Sequence, residues 1–333
     1  MMRGVPPSDE EDRDFPARTE PAGVSEALLE AVLEQIRPVV VGQDETVELM
    51  LIALACKGHV LLQGVPGVAK TLLARALAAT LGVGMRRVQF TPDMLPSDLT
   101  GTLTLRAGEL VFRPGPVFTN LLLADEINRT PPKTQAALLE AMQEGQVTID
   151  GESHALEAPY LVIATQNPIE YEGTYPLPEA QLDRFLLQVN VDYPSAEQEL
   201  AMLGLDRDGV DPVALAGVQA VAGAHELAAL VAETRATSVT DEVAGYIVAL
   251  VRRTRELPSV ALGASPRAAV HLLAASKACA RLRGRAFVTP DDVAQVARPV
   301  LAHRLLMTPE AELERFGALD ALRVALDEVP VPR

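Results

Sequence analysis

The stretch GVPGVAKT, Gly64 to Thr71, carries the residue types that bind phosphate. In the pattern G-x-x-x-x-G-K-[ST], backbone N–H groups wrap the phosphates, the lysine reaches the β- and γ-phosphates, and the hydroxyl binds Mg²⁺. Gly64, Lys70 and Thr71 fit this pattern, and Gly67 gives the middle of the loop conformational freedom. Ala69 stands where the last glycine is expected. Alanine is acceptable there at negative φ, because only positive φ strongly favours glycine. We therefore predict a working phosphate loop despite Ala69.

Two adjacent acids end an apolar run further along the chain. In LLLADE, Asp125 lies 55 residues after Lys70 and is followed by Glu126. An aspartate at the carboxyl end of a strand can hold the Mg²⁺ shell, and the adjacent glutamate can orient and deprotonate an attacking water. Alone, such a pair is usually just a strand end. Together with the phosphate loop, it predicts ATP hydrolysis.

Two further polar residues lie where phosphoryl transfer can use them. Asn167, in YLVIATQNP, follows a third apolar run and can hydrogen-bond the water or the γ-phosphate. The alternative is a turn-forming asparagine before Pro168. Arg184, in QLDRF, precedes the last apolar run. A lone arginine is usually solvated or ion-paired, but phosphoryl transfer gains strongly from an arginine supplied by a neighbouring subunit.

These residues follow or precede short apolar runs that alternate with helical segments. The strand-like runs are HVLLQG, RRVQF, LLLADE, YLVIATQN and FLLQVNV, and helices such as TLLARALAATLG separate them. This alternation predicts an α/β fold with a parallel five-stranded sheet covered by helices on both faces. From about Ser195 only helical spacing remains, with no clear strand. We predict a core over residues 23–194, an all-helical domain over 195–333, and a disordered acidic tail over 1–22.

The composition disfavours nucleic-acid and membrane partners. The net charge is −16, from 29 Lys+Arg against 45 Asp+Glu, and such a surface repels nucleic acid unless its basic residues cluster. Aromatic residues make up 4% of the chain and there is no Trp, so platforms for stacking bases are not expected. No run approaches the ~18 apolar residues of a membrane helix, and the acidic start does not resemble a signal peptide. We expect a cytoplasmic protein.

Several cysteine, histidine and arginine residues are expected to have structural rather than functional roles. Cys56 and Cys279 are expected to be buried small hydrophobes, and the histidines and cysteines show no metal spacing. His59 is expected at the surface or at an edge rather than as a ligand. The basic run Arg281, Arg283 and Arg285 is expected to be a solvated helix end.

Taken together, GVPGVAKT, LLLADEINR, ATQNP, QLDRF and GASPRA resemble the motifs of AAA+ ATPases, and their variants are specifically similar to the MoxR family. The resemblance spans roughly residues 24–325. It implies an AAA+ P-loop NTPase core with a helical lid domain, ATP as the nucleotide and Mg²⁺ as the cofactor. Alanine before the phosphate-loop lysine looks normal in that family, so Ala69 becomes a family marker.

The resemblance also implies which residues contact ATP. The nucleotide would lie on the phosphate loop and on the stretch that usually lines the adenine pocket, namely Val41, Gly42, Gln43, Gly64, Val65, Pro66, Gly67, Val68, Ala69, Lys70, Thr71 and Leu72. Thr71 and Asp125 would hold Mg²⁺, and Glu126 would be the catalytic base.

The same resemblance gives roles to residues beyond the loop. Asn167 matches the first sensor, and Arg184 matches the finger that acts on the next subunit's ATP. Arg267, in GASPRAA, matches the second sensor on the lid, in its own subunit or in a neighbour's. Arg129 would lie near the subunit interface.

Two hairpin insertions and a ring belong to the same family plan. TGTLTLRAGELVFRPGPV, from Thr100 to Val117, and QVTIDGESHALEAP, with Asp150-Gly151 as its turn, alternate like paired strands. They would face the central pore or a client, unless they are surface hairpins without contacts. An arginine finger acting between subunits implies a closed ring, expected to be a hexamer. The family is associated with chaperone-like remodelling, often with von Willebrand factor A-domain proteins, in maturing metalloenzymes or assembling complexes.

Two alternatives stay open. The first is a related motor, either a magnesium chelatase subunit or a nucleic-acid motor akin to the minichromosome-maintenance helicases. A pore that binds nucleic-acid phosphates needs more basic residues than these hairpins carry. Arg106 and Arg113 are the only basic residues in the first hairpin, and the second hairpin has none. The second alternative is a scaffold that binds ATP but barely hydrolyses it. The presence of Glu126, Asn167 and Arg184 gives no reason to favour it.

Overall fold

The computed structural model describes residues 24–65, 67–106, 108–167, 174–204, 215 and 217–332. The acidic tail predicted for residues 1–22 and the loop residue Pro66 lie outside this part of the chain. Within the described ranges, no helix has the length and apolar character needed to cross a membrane.

The first part of the described chain is built from alternating strands and helices. In chain order it contains α1 (Val24–Ile36), α2 (Asp44–Ala55), β1 (Val60–Gly64), α3 (Lys70–Thr80), β2 (Met85–Gln89), α4 (Pro96–Thr100), β3 (Gly101–Arg106), β4 (Glu109–Pro114), β5 (Leu121–Asp125), α5 (Pro132–Glu144), β6 (Gln146–Ile149), β7 (Glu152–Ala155), β8 (Leu161–Gln166), α6 (Glu179–Leu182) and β9 (Leu187–Val191). The helical part follows with α7 (Ala196–Leu203), α8 (Ala224–Ala236), α9 (Asp241–Thr254), β10 (Val260–Leu262), α10 (Pro266–Leu282), α11 (Pro290–Leu301), β11 (Leu306–Met307), α12 (Pro309–Leu313) and α13 (Ala318–Glu328).

The central sheet is parallel, with strand order β2-β5-β8-β1-β9. Successive residues of β5 enter opposite hydrophobic clusters: Leu121 and Leu123 pack on one face, and Leu122 and Ala124 pack on the other. A strand buried on both faces needs helices on both sides, because each face must be removed from water. The predicted doubly covered five-stranded parallel sheet is therefore confirmed.

The region after β9 is helical as predicted, but it also contains a small sheet. Strands β10 and β11 pair antiparallel, with Val260 opposite Met307 and Leu262 opposite Leu306. The expectation that no strand follows Ser195 is therefore wrong. Strands of three and two residues are too short to show alternation, and their pairing joins segments far apart in the chain. The boundary at Pro194–Ser195 stays a prediction, although Ser195 does cap the first turn of α7 by accepting a hydrogen bond from the Gln198 backbone N–H.

The basic run after α10 is ion-paired, which corrects the expectation of a solvated helix end. Each arginine meets an acid on another element or turn: Arg281 with Glu233 at 2.9 Å, Arg283 with Glu48 at 3.2 Å, and Arg285 with Asp292 at 2.5 Å. The Arg283–Glu48 pair joins the end of a lid helix to α2 of the core. Such partners cannot be recognised in sequence, because they are brought together only by tertiary packing.

His59 is buried, so the expectation of a surface or edge residue is wrong. Its Nδ1 accepts a hydrogen bond from the Val162 N–H at 3.0 Å, which leaves Nε2–H to donate to the Met142 carbonyl at 3.0 Å. Burial lowers the pKa of His59 to about 4. The residue cross-links β8 and α5 as a neutral imidazole.

The cysteines are small packed residues, as expected. Cys279 is buried and Cys56 is partly buried, and both thiols are free. Burial raises the pKa of each to about 12, so neither is a ready nucleophile.

Both predicted hairpins form. β3 pairs with β4 and β6 pairs with β7, and positive φ at Asp150 (48°) and Gly151 (85°) confirms the second turn. The hairpins also contact each other, because the Phe112 ring of β4 stacks on the His154 ring of β7 at a centroid distance of 4.2 Å. They are therefore not isolated surface hairpins.

Candidate active site

Three sequence motifs meet at the carboxyl edge of the sheet. Because β5, β8 and β1 are neighbours in a parallel sheet, the residues that follow them lie side by side. These are the acids after β5, Asn167 after β8 and the phosphate loop after β1. Asn167 is buried there. The convergence predicted from the apolar runs is thus present in the fold.

The phosphate loop adopts a left-handed conformation at two positions. Gly67 has φ of 89° and Ala69 has φ of 59°, so the negative φ at which alanine would be unstrained is not adopted. The turn that feeds the chain into α3 determines this backbone, and an alanine Cβ is strained there by about 1–2 kcal/mol. Successive right- and left-handed residues turn backbone N–H groups inward to form an anion-binding concavity. Positive φ at Ala69 is compatible with such a concavity.

The amino end of α3 is suited to a polyphosphate. The first turn of α3 carries no acid, and the unpaired N–H groups and dipole of a helix start attract anions. At Gly64, a Cβ would lie 2.4 Å from the Val191 carbonyl oxygen, so only glycine fits this close approach to β9. Val68 is buried and Val65 and Leu72 pack against the core, which leaves mainly backbone to face a ligand.

Lys70 and Thr71 open the helix that follows the loop. Lys70 Nζ donates to the Gly64 carbonyl at 2.6 Å. Partial burial lowers the pKa of Lys70, and Asp125 and Glu126 oppose that shift by favouring the charged form. A cation half removed from water and facing two acids is well placed to exchange its carbonyl partner for a phosphate oxygen. Thr71 is half-buried at the second position of α3.

Asp125 is held through both carboxylate oxygens. The Thr165 hydroxyl donates to Oδ1 at 2.6 Å, and Arg87 Nη2 donates to Oδ2 at 2.7 Å. Thr165 Oγ1 also accepts the Glu126 N–H at 2.9 Å, so one buried hydroxyl orients both acids. Oxygen donors of this kind suit Mg²⁺, which commonly keeps several of its own waters.

Glu126 is a non-glycine residue in left-handed conformation, with φ of 58° and ψ of 50°. Its Oε2 receives Gln89 Nε2 at 2.7 Å and lies 2.7 Å from Arg129 Nε. The arginine and the amide hold the carboxylate in one orientation. An ionised, oriented carboxylate at this edge can accept a proton from a water.

Thr165, Arg87 and Gln89 are functional neighbours that sequence reasoning missed. Arg87 and Gln89 alternate on β2 and so share one face, beside the acids at the end of β5. Thr165 lies two residues before Asn167. The sequence does show polar residues at the ends of two apolar runs. Their contact with Asp125 and Glu126, however, depends on the order of the strands in the sheet.

A cleft of about 440 Å³ opens beside the residues matched to the adenine pocket. Val41 and Gly42 line it with Arg37, Asp44, Glu45 and Gln198. Gly42 has φ of 75°, and a Cβ there would lie within 2.3 Å of the Gln198 side chain. Gln43 accepts a hydrogen bond from the Thr46 hydroxyl at 2.8 Å and so faces the start of α2. The cleft has the size of a small-molecule site.

Arg184 and Arg267 lie at the other edge of the sheet. Arg184 precedes the amino end of β9, whereas the phosphate loop follows the carboxyl end of the parallel neighbour β1. The five residues of β9, at about 3.3 Å each, separate the two edges by about 16 Å. Arg267 Nη1 lies 3.8 Å from Asp183 Oδ2, so this lid arginine is beside the Arg184 turn. Neither arginine is grouped with its own chain's phosphate loop.

Comparisons with known proteins agree with this fold and site. A family model described as "ATPase family associated with various cellular activities (AAA)" matches residues 59–187, and one described as "AAA lid domain" matches residues 252–320. The fold and site therefore define an AAA+ ATPase. A crystal structure of a Cytophaga hutchinsonii protein, provisionally classed as an ATPase, superposes with a TM-score of 0.85 at 39% identity, covering 93% of this chain and 96% of that one.

Curated relatives narrow the class. The chain is 43% identical to Chaperone MoxR1 of Mycobacterium tuberculosis over 96% of its own length and 88% of that protein. It is 47% identical to the uncharacterised protein YeaC of Bacillus subtilis, over 92% of its own length and 95% of that relative. The chain belongs to the MoxR family of AAA+ ATPases.

Proposed function

We propose that the chain is one subunit of a cytoplasmic ring, a hexamer, in which ATP hydrolysis drives the remodelling of a client protein. The observation that carries the proposal is the placement of Arg184 and Arg267 at the edge opposite the phosphate loop. An arginine that cannot reach its own nucleotide can act on that of the next subunit. Head-to-tail contacts that close into a ring put one subunit's arginine edge against its neighbour's loop edge.

Within each site, the residues divide the work of phosphoryl transfer. The loop N–H groups and Lys70 bind the phosphates, and Thr71 and Asp125 hold Mg²⁺, which when bound neutralises charge on the phosphate oxygens. Glu126 accepts a proton from the water whose oxygen attacks the γ-phosphorus, while the bond to the bridging oxygen breaks and ADP leaves. Asn167 orients the water or the γ-phosphate. Arg184 and Arg267 of the neighbouring subunit stabilise the charge of the transition state.

Glu126→Gln tests the base. The amide keeps the shape and still accepts from Gln89, but it cannot accept the proton. We expect ATP to stay bound and kcat to fall about 100-fold or more, as for loss of a general base. Fluorescent-nucleotide titration and phosphate release measure the two effects. If this variant hydrolyses ATP at the wild-type rate, Glu126 is not the catalytic base.

Mixing experiments test the shared site. Arg184→Ala is expected to bind ATP but to lose about 1,000-fold in kcat, since a finger arginine contributes on that scale. Lys70→Ala is expected to lose ATP binding at its own site but still to supply an intact Arg184 to the neighbouring subunit. Mixing the two inactive proteins should restore phosphate release, because each supplies what the other lacks. The exposed Arg323→Ala on α13 serves as the control for loss of an arginine. If Arg184→Ala alone hydrolyses ATP normally, the ring mechanism is wrong.

The hairpins and the family point to a protein client. One relative carries the name Chaperone MoxR1, and the first hairpin here exposes Leu105 and Leu110, which are 72% and 68% accessible. Exposed apolar side chains on a hairpin suit contact with an unfolded or loosely folded segment. We propose that a von Willebrand factor A-domain protein presents that client.

Affinity capture with tagged Glu126→Gln tests the class of partner. The variant is held in ATP in extract from its own host, and the bound material is divided between mass spectrometry and a nucleic-acid stain. ATP-dependent recovery of a von Willebrand A-domain protein supports the remodelling function. Recovery of nuclease-sensitive nucleic acid instead favours the motor alternative.

A further inference from the structure

Arg304 is a buried arginine that joins the lid to the turn carrying Arg184. It ends the 3₁₀ turn Ala302–Arg304, and its side chain is 2% exposed. Its Nε donates to Asp183 Oδ1 at 2.7 Å, and its Nη2 donates to the Phe185 carbonyl at 2.6 Å and to the Asp183 carbonyl at 3.2 Å. Its Nη1 reaches the carbonyls of Leu186, at 3.3 Å, and Val300.

These contacts form a rigid joint rather than a surface ion pair. A guanidinium removed from water is costly unless its donors are satisfied, and here its partners are one carboxylate and backbone carbonyls. Three of those carbonyls belong to the short connection 183–186 between α6 and β9. Backbone acceptors cannot rotate away as side chains can. The lid therefore holds the path of this connection, and not only one of its side chains.

Asp183 of the core offers both carboxylate oxygens to arginines of the lid. Its Oδ1 accepts from Arg304, its Oδ2 lies 3.8 Å from Arg267 Nη1, and it immediately precedes Arg184 in the chain. Arg267 is 53% exposed, and it faces Asp183 with a terminal nitrogen of its guanidinium. Arg184 Nη1 donates to the Ala180 carbonyl at 3.0 Å, which directs that side chain back along α6.

Two histidines complete the surroundings of Arg304. His271 Nδ1 lies 2.7 Å from Nη2, and His303 Nε2 lies 2.7 Å from Nη1. Both ring nitrogens face the guanidinium, and His303 Nε2 also lies 3.3 Å from the Phe185 carbonyl oxygen. Burial and the nearby Arg304 lower the pKa of His271 to about 4 and lower that of His303 as well. The joint therefore contains one cation and one anion.

We propose that Arg304 and Asp183 are positioning residues that hold Arg184 of the core and Arg267 of the lid as one rigid unit. In this unit both arginines are presented together to the nucleotide of the neighbouring subunit. The inference rests on the proposed function, in which those two arginines act between subunits. It adds that the placement of Arg184 and Arg267 depends on Arg304, a lid residue that contacts neither its own subunit's nucleotide nor the neighbour's.

Arg304→Lys is the main test, because lysine keeps the charge but cannot reproduce the planar fork. A misplacement of about 1 Å in a catalytic group can lower the rate about 100-fold. We expect kcat per assembled subunit to fall about 10- to 100-fold, with KM and the Kd for a fluorescent ATP analogue within about twofold of wild type. Mixing with Lys70→Ala, whose arginines are correctly held, should restore turnover. The triple variant Arg184→Ala/Arg267→Ala/Arg304→Lys should be no slower than Arg184→Ala/Arg267→Ala within about twofold, because Arg304 acts only through these two arginines.

Arg285→Lys is the matched control. Arg285 also makes a two-pronged pair with a buried lid acid, Asp292, at 2.5 and 2.8 Å, but that pair lies within the lid. This control should lower thermal stability and leave kcat per assembled subunit unchanged. If Arg304→Lys fails to fold, Asp183→Asn carries the test, since the amide keeps the shape and removes the charge.

The outcomes separate this inference from the proposed function. Weaker nucleotide binding by Arg304→Lys, with no rescue on mixing, would show that the joint supports its own site and would overturn the inference. Wild-type turnover in both Arg304→Lys and Asp183→Asn would do the same while Arg184→Ala remains inactive. If Arg184→Ala is itself fully active, the shared-site mechanism fails whatever the Arg304 variants do.

Discussion

Two residues of the active site occupy the left-handed region without being glycine. Ala69 has φ of 59° in the phosphate loop, and Glu126 has φ of 58° immediately after Asp125. Such residues persist only where the surrounding structure determines their conformation. At Ala69 the determinants are the end of β1 and the start of α3. At Glu126 they are the Thr165 hydroxyl and the 3₁₀ turn that follows. Five non-glycine residues in the described part of the chain have positive φ, and two of them, Ala69 and Glu126, lie at the candidate site.

Ala69→Gly is expected to stabilise the nucleotide-free protein. Relief of about 1–2 kcal/mol of left-handed strain exceeds the roughly 0.5–1 kcal/mol lost to glycine's freedom in the unfolded chain. The net gain of about 0.5–1 kcal/mol in the free energy of unfolding is measurable by urea titration. Ala136→Gly, on the exposed face of α5, is the matched control and should lose about 1 kcal/mol. Equal losses in both variants would mean that Ala69 is not left-handed in solution.

The buried neutral histidines should make the protein sensitive to acid. With a pKa of about 4 in the folded state and 6.5 as its ordinary value, His59 binds more protons when unfolded throughout pH 4–6.5. Stability therefore falls as the pH drops through that window, by up to about 1.4 kcal/mol per unit for this residue. His59→Gln should lower stability at pH 7 and flatten the pH dependence below 6.5. Urea titrations at pH 7.5, 6, 5 and 4.5 measure both effects, and an unchanged slope would contradict the assignment.

At the scale of elements, the strand order determines which side chains cooperate. β2 lies beside β5, so Arg87 and Gln89, on one face of β2, reach Asp125 and Glu126. The two hairpins likewise meet through rings rather than through backbone pairing. Phe112 stacks on His154 and contacts Phe118 edge-on at 5.4 Å. A force applied to one hairpin is therefore transmitted to the other.

A double-mutant cycle measures the link between the hairpins. Phe112→Ala and His154→Ala are expected to show a coupling free energy of about 0.5–1.5 kcal/mol in urea unfolding, the usual range for stacked aromatic pairs. Leu110→Ala is the control, because Leu110 lies on the same strand but points to solvent. Its cycle with His154→Ala should give no coupling. Additivity of Phe112→Ala and His154→Ala would mean that the hairpins move independently.

At the scale of the whole molecule, core and lid share a single hydrophobic cluster. Helix α1 packs against α8 and α10, and residues of β1, α2, α10 and α11 belong to the same set of buried contacts. Ion pairs reinforce this interface, with Arg283 on Glu48 and Arg304 on Asp183. Two parts that bury their apolar faces against each other cannot unfold separately without exposing that surface.

Leu272→Ala should therefore destabilise the whole chain. Leu272 is fully buried on α10, and its truncation costs about 2–5 kcal/mol by loss of burial and creation of a cavity. We expect one calorimetric transition at a lower Tm, with bound nucleotide released in the same transition. Val270→Ala, on the exposed side of the same helix, should change stability by less than about 0.5 kcal/mol. Two separate transitions would show that the lid unfolds on its own.

The sequence alone predicted the sheet, the hairpins and the convergence of the phosphate loop, the acids and Asn167. Each of these depends on information that is local in the chain. Apolar runs define strands, glycines permit the loop, and the parallel arrangement of α/β units brings strand ends to one edge. The predictions that failed were the exposure of His59, the solvation of the basic run after α10, and the absence of strands after Ser195.

Tertiary structure alone decided which residues hold the acids and which edge carries the arginines. Thr165, Arg87 and Gln89 surround Asp125 and Glu126 because β2 and β8 flank β5, an order that nothing in the local sequence specifies. Arg304 meets Asp183 across 121 residues of chain. Contacts at such separation depend on the packing of the lid against the core. Local patterns determine which elements form, whereas the packing between distant elements determines what each side chain touches.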